Sequence, residues 1–208
     1  MTSINSVKIT RERKAAMRYD RSSYNINVIK GLPKEIWARL IQNGFKVTLL
    51  WALDHAVRIF TGAPLRRLSQ ITPQLYLGGQ YDQRGWEQLK KWSITSVVNL
   101  RVEFDVHSKE LASDQYIYLP TVEDEASTQK QLQAGVDFIQ KMIDQNNSVY
   151  VHCRSGLGRS AALVAAYLIN TGLTVNQAWM HIQKVRPFIR PKETQILSIN
   201  QYANNFKK

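Results

Sequence analysis

The 208-residue chain has one cysteine, and its neighbours are of the types that make a sulfur reactive. Cys153 follows Val149-Tyr150-Val151-His152 and opens the run Cys153-Arg154-Ser155-Gly156-Leu157-Gly158-Arg159-Ser160, with five residues between Cys153 and Arg159. Gly156 and Gly158 let the backbone bend until successive N–H groups point inward. Such a nest at a helix N-terminus holds a tetrahedral dianion. The same field favours the thiolate, since an ordinary thiol titrates near about 8.5 and such surroundings lower it by several units. The planar guanidinium of Arg159 can grip two equatorial oxygens at once, which a lysine cannot imitate. Arg154, Ser155, Gly156, Leu157, Gly158 and Arg159 then form the anion cradle. Ser160 is placed to donate to the sulfur when it leaves, and His152 orients the loop rather than titrating. The implied chemistry is attack of sulfur on the phosphorus of a phosphate monoester.

Such an attack expels an alkoxide or phenoxide, which needs a proton, and a carboxylic acid on a neighbouring loop is the expected donor. Glu123-Asp124-Glu125 lies between Leu119-Pro120 and Thr128, with Asp124 standing 29 residues ahead of Cys153. Asp124 is the first candidate, because a short side chain is more easily fixed on a loop. Glu123 is the alternative. Three acidic residues that only solvate and cap a helix start are the plain structural reading.

The elements that must position these residues alternate. Leu75-Tyr76-Leu77, Val97-Val98-Asn99-Leu100, Tyr116-Ile117-Tyr118-Leu119 and Val149-Tyr150-Val151 read as buried strands, the third stopped by Pro120. Trp86, Leu89 and Trp92 share a helix face. Thr128 with Gln131 forms a capping-box pattern ahead of Leu132, Val136, Ile139 and Ile143. An apolar helix runs from Gly158 to Ile169. Another carries Val175, Ala178, Trp179, Ile182 and Val185 up to Pro187, and a last one carries Ile196, Ile199, Ala203 and Phe206. The fold class is α/β, with a central, mainly parallel sheet of about four to five strands flanked by helices and preceded by an N-terminal helical extension. The reactive run starts where a strand ends and a helix begins, which is where ligands bind in open α/β sheets.

The net charge of +12 is concentrated in residues 1–67, which hold 13 Lys+Arg against 4 Asp+Glu. The division expected is therefore a basic extension over 1–67 and a catalytic domain over 68–208. Residues 1–31 read as a polar, loosely docked arm. A helix is expected from Pro33 to about Thr61, with Glu35, Arg39, Gln42 and Lys46 on one side. Its longest apolar stretch, Val47 to Leu53, is seven residues, too short to span a bilayer. It suits packing on the catalytic domain or lying at an anionic membrane surface. Nucleic acid is not expected as a partner, since the first half of the extension lacks interleaved aromatics. No secretory signal is visible, and a single cysteine allows no intrachain disulfide. A cytoplasmic setting is expected, with peripheral membrane contact as its extension.

From about Ile71 to Phe206 the chain resembles the dual-specificity phosphatases of the protein tyrosine phosphatase superfamily. Val149–Ser160, Ala165-Ala166-Tyr167-Leu168-Ile169 and Arg186-Pro187-Phe188-Ile189-Arg190-Pro191 with Gln195 are similar to the mitochondrial phosphatidylglycerophosphate phosphatase subgroup. The resemblance implies a phosphocysteine intermediate hydrolysed by water, with no metal or other cofactor. It makes Cys153 the nucleophile, Arg159 the phosphate clamp and Ser160 the leaving-group helper, and sets Asp124 or Glu123 at the acid. Near Glu123 the loop is one residue shorter than in that subgroup, with a Glu where an Asp is looked for. The implied substrate is a phosphorylated Tyr, Ser or Thr in a protein, or a phospholipid headgroup. The rival expectation is a phosphate-recognising adaptor without turnover, which would need no nucleophile.

Overall fold

A computed structural model describes residues 27–103, 105 and 115–206. The polar arm expected over residues 1–31 lies, up to residue 26, outside the described residues. The chain divides into two compact units, Met1–Thr48 and Leu49–Lys208. Residues 49–67 thus group with the second unit, and the division expected from sequence fell at Leu68.

Helix α1 runs Asn27–Thr61 and is interrupted at Gly44, whose φ of 75° and ψ of 170° are not helical. It starts earlier than the Pro33 expected from sequence, and Asn43-Gly44, a turn dipeptide, breaks it where the sequence reading ran straight through. In the first unit Arg39 is buried, whereas Trp37, Ile41 and Phe45 are 67%, 75% and 73% exposed. The expected polar side is therefore not simply the outer one.

In the second unit four strands, β1 (Leu75–Gly78), β2 (Ile94–Arg101), β3 (Gln115–Thr121) and β4 (Ser148–His152), form one sheet in the order β1-β4-β2-β3. All three pairings are parallel. The helices between them are α2 (Gln83–Lys91), α3 (Gln129–Asp144), α4 (Arg159–Asn170), α5 (Val175–Val185) and α6 (Glu193–Phe206). β4 is central, with both faces covered, as its unbroken apolar run requires. Val149 and Val151 face the larger core with Leu75, Leu77, Leu132, Val136, Ile139 and Leu163. Tyr150 faces the other way, into a smaller cluster with Tyr76, Tyr81, Trp86 and Leu89. Nearly every side chain of α4 is buried, so this Ala-, Leu- and Val-rich helix lies inside the fold.

One local rule holds as expected and one does not. The capping box at Thr128 forms, its hydroxyl accepting from the Gln131 amide at 3.2 Å while Gln131 Oε1 accepts from the Thr128 amide at 2.9 Å. A second forms at Thr174 with Gln177. Pro120 does not end β3, which continues to Thr121. β3 is an edge strand, and its pairing with β2 slips between Asn99 and Arg101, opposite Pro120. A residue without an N–H is tolerated there because no ladder bond is asked of it.

Candidate active site

The loop after β4 is shaped by its two glycines for different reasons. Gly156 has a φ of 70°, and a Cβ there would run into the Gly78 backbone at the end of β1. Gly158 has an ordinary negative φ, but a Cβ would press on the side-chain amide of Gln195. One supplies a left-handed turn and the other close approach. α4 then begins at Arg159 with no side-chain cap on its N-terminus, so its first-turn amides face the loop's concavity.

Cys153 is buried at the start of this loop, 3% exposed, and its sulfur has two polar neighbours. It accepts from the Gly156 amide at 3.3 Å and lies 3.3 Å from the Ser160 hydroxyl oxygen. Burial pushes this thiol up. The Arg159 charge, the Ser160 hydroxyl and amide, and the Gly156 amide together outweigh burial and leave it below its ordinary value. Such surroundings favour the thiolate.

Arg159 is buried and aimed by fixed partners. Its Nη1 donates to the Thr121 carbonyl at 2.8 Å and to Glu103 Oε1 at 3.2 Å, and its Nη2 lies 4.0 Å from Glu123 Oε1. One prong is thus held by the protein, which limits how the planar guanidinium can turn. His152 is fully buried between Tyr150 and Tyr81, with ring centroids at 5.9 and 5.1 Å. Burial first, then the Arg101 charge, push its pKa down to about 3, so the imidazole stays neutral.

The acidic loop presents its members unequally. Glu123 Oε2 accepts from Arg154 Nη1 at 3.1 Å, which brings this carboxylate to the phosphate loop. Asp124 has a φ of 67°, and its carboxylate pairs instead with Lys192 at 3.1 Å. The start of α6 anchors the loop: Thr194 donates to the Asp124 carbonyl at 3.1 Å and Gln195 to the Glu125 carbonyl at 2.9 Å. Asp124, the first candidate from sequence, therefore faces α6, and Glu123 faces the cradle.

The sequence reading missed several residues that meet this loop. Glu103 aims Arg159, and Arg101 lies beside it, its Nε 3.7 Å from Glu103. Arg186 is fully buried. Its guanidinium donates to the Gly156 carbonyl at 2.8 Å and the Ser155 carbonyl at 3.2 Å, and lies over the Phe188 ring. In the sequence Arg186 is marked only by its place in the run Arg186–Pro191. Among the described residues no three His, Cys, Asp or Glu side chains gather as metal ligands would.

A parallel sheet ending in an anion cradle with an acidified cysteine defines the architecture of a cysteine-dependent phosphatase. The chain belongs to the family of the dual specificity phosphatase catalytic domain, whose model matches residues 75–205. It is 33% identical over 139 residues to mouse protein phosphatase Slingshot homolog 3, covering 65% of this chain and 21% of that protein. It is 30% identical over 125 residues to human dual specificity protein phosphatase 1, covering 59% and 33%. The chain thus spans only about a fifth to a third of these relatives' lengths. Among solved structures, PTPMT1 superposes with a TM-score of 0.61 at 25% identity, over 67% of this chain and 95% of that one. PTPMT1 has also been solved in complex with PI(5)P. Likeness in structure therefore reaches PTPMT1, while these curated sequence relatives are Slingshot and dual-specificity protein phosphatases.

Proposed function

We propose that this chain hydrolyses phosphate monoesters through a phosphocysteine intermediate. The observation that carries the reading is the sulfur of Cys153, lowered in pKa despite burial and held by the Gly156 amide and the Ser160 hydroxyl. The thiolate attacks phosphorus, the P–O bond to the leaving group breaks, and Arg159 with the loop amides holds the equatorial oxygens. The departing oxygen takes a proton from the acidic loop. Its nearness to the phosphate loop, at Arg154, supports Glu123 as the residue that carries this proton, with Asp124 as the alternative. Water then attacks the phosphocysteine, the S–P bond breaks, inorganic phosphate leaves, and the Ser160 hydroxyl stabilises the returning thiolate.

The substrate is a phosphorylated Tyr, Ser or Thr side chain or a phospholipid headgroup. The names of the curated relatives support the first, and the fold shared with PTPMT1 supports the second. Residues 1–67 are the proposed contact to an anionic membrane surface. Their excess of basic charge and the exposed Trp37, Ile41 and Phe45 support this. No described helix is long and apolar enough to cross a membrane.

Cys153→Ser tests the reading against the adaptor alternative. Turnover of an aryl phosphate should disappear while phosphopeptide or phosphate binding persists. Turnover surviving in the variant, or none in the wild type, would overturn it. A panel of phosphopeptides, phosphoinositides and phosphatidylglycerophosphate separates the two substrate sources.

A further inference from the structure

A cradle of inward amides exists only while its carbonyls are held outward, and each carbonyl from Arg154 to Leu157 has a donor outside the loop. The Arg154 carbonyl accepts from the Gln80 amide at 3.0 Å and from Arg58 Nη1 at 2.8 Å. The Ser155 and Gly156 carbonyls accept from Arg186, and the Leu157 carbonyl from the Arg190 amide at 2.8 Å. Two of these supports trace back to the last turns of α1. Arg58 projects from it directly. Asp54 Oδ2 accepts from Arg186 Nη2 at 2.9 Å, and its Oδ1 accepts from the Leu65 amide at 2.9 Å. The third face of Arg186 donates to the Leu68 carbonyl at 3.1 Å. Asp54 and Arg186 have side chains 4% and 0% exposed, so the pair lies out of water. Gly79 makes room for Arg58, because a Cβ there would collide with the guanidinium.

We propose that Asp54 and Arg58, which lie ahead of the family-matched segment 75–205, are positioning residues of the phosphate loop. The two residues sit one turn apart on α1 and grip the loop from outside through Arg186 and the Arg154 carbonyl. Arg186 needs the Asp54 carboxylate because a buried guanidinium without a counter-charge rearranges or draws in water. Arg58 reinforces a carbonyl that a single backbone amide otherwise holds. The catalytic apparatus of this chain thus begins at the end of α1 and not at β1. This rests on the phosphatase reading, since a positioned cradle matters only if an oxyanion is to be held there.

The test uses the full chain and two readouts that need no turnover: affinity for inorganic phosphate and orthovanadate, and the pH dependence of Cys153 alkylation by iodoacetamide. Arg58→Gln should weaken oxyanion affinity about tenfold and move the alkylation midpoint to higher pH, with the folded spectrum kept, because the loop amides lose their fixed aim. Arg58→Lys, which keeps a donor and a charge in reach, should restore most of both. Asp54→Asn should shift both in the same direction, and further. If Asp54→Asn does not fold, the Arg58 pair decides. Wild-type anion affinity and alkylation profile in Arg58→Gln, or no recovery in Arg58→Lys, would overturn the proposal. Lack of turnover and an ordinary thiol profile in the wild type would instead overturn the phosphatase reading, so the two failures are told apart.

Discussion

Arg159 closes the phosphate loop in the chain, Arg186 donates to two of its carbonyls, and both are removed from solvent. Their partners differ. Arg186 is spent entirely on protein: two loop carbonyls, the Leu68 carbonyl and the buried Asp54 carboxylate. Arg159 commits Nη1 to Thr121 and Glu103, and its Nη2 lies 4.0 Å from Glu123. Its acidic partners are 31% and 46% exposed, whereas the side chain of Asp54 is 4% exposed. Beside its fixed Thr121 carbonyl Arg159 keeps two carboxylates that reach water, whereas the carboxylate of Arg186 is sealed from it. Removing one member of the buried pair costs about 3–5 kcal/mol of stability, while the half-exposed Glu123–Arg154 pair contributes about 1 kcal/mol or less.

The largest break in this contrast is Arg159→Lys. A lysine keeps the charge but cannot hold Thr121 and two phosphate oxygens in one plane. A fall of about 10³-fold in kcat/KM is expected with little loss of stability, since the residue's structural partners are few. Steady-state kinetics beside a thermal melt read both. A loss below tenfold would mean that the amide nest, and not the fork, binds the phosphate.

The acidic loop sharpens the same contrast from the solvent side. Glu123→Gln should lower kcat for a poor leaving group by about 10²-fold and barely change it for a leaving group that needs no proton. Asp124→Asn should leave that dependence on the leaving group in place and act through its Lys192 contact alone. If Asp124→Asn shows the leaving-group dependence instead, the loop rearranges on binding and the shorter acid is the donor.

The two arginines were not equally legible in the sequence. Arg159 stands in a contiguous run with the cysteine, glycines and serine whose chemistry it shares, between a strand and a helix that announce themselves by pattern. Arg186, Arg58 and Glu103 act on groups 132, 96 and 56 positions away in the chain, and nothing local marks them. A buried ion pair is invisible until the fold brings its halves together. The four strands and the later helices were legible because burial on both faces, or on one, imposes a period. The break at Gly44 was present in the Asn43-Gly44 dipeptide. Pro120 misled because its cost depends on being in an edge strand, which only the sheet order reveals. The acidic triplet was legible as a group, but the order of preference within it turned on the positive φ of Asp124 and the Lys192 contact.

The smallest effect expected concerns His152, buried beneath the cysteine and kept neutral. Its folded pKa of about 3 lies below the 6.5 of an unfolded chain. On acidification the unfolded state takes up this proton first, so the contribution to stability is full above about pH 6.5 and drains away as pH falls toward 3. A single such proton gives a slope of at most about 1.4 kcal/mol per pH unit in that window. Urea unfolding at several pH values, for wild type and His152→Asn, measures it directly. The variant's stability should fall less steeply between pH 6 and 4, because asparagine has nothing to protonate. Equal slopes would place the acid sensitivity in groups other than His152.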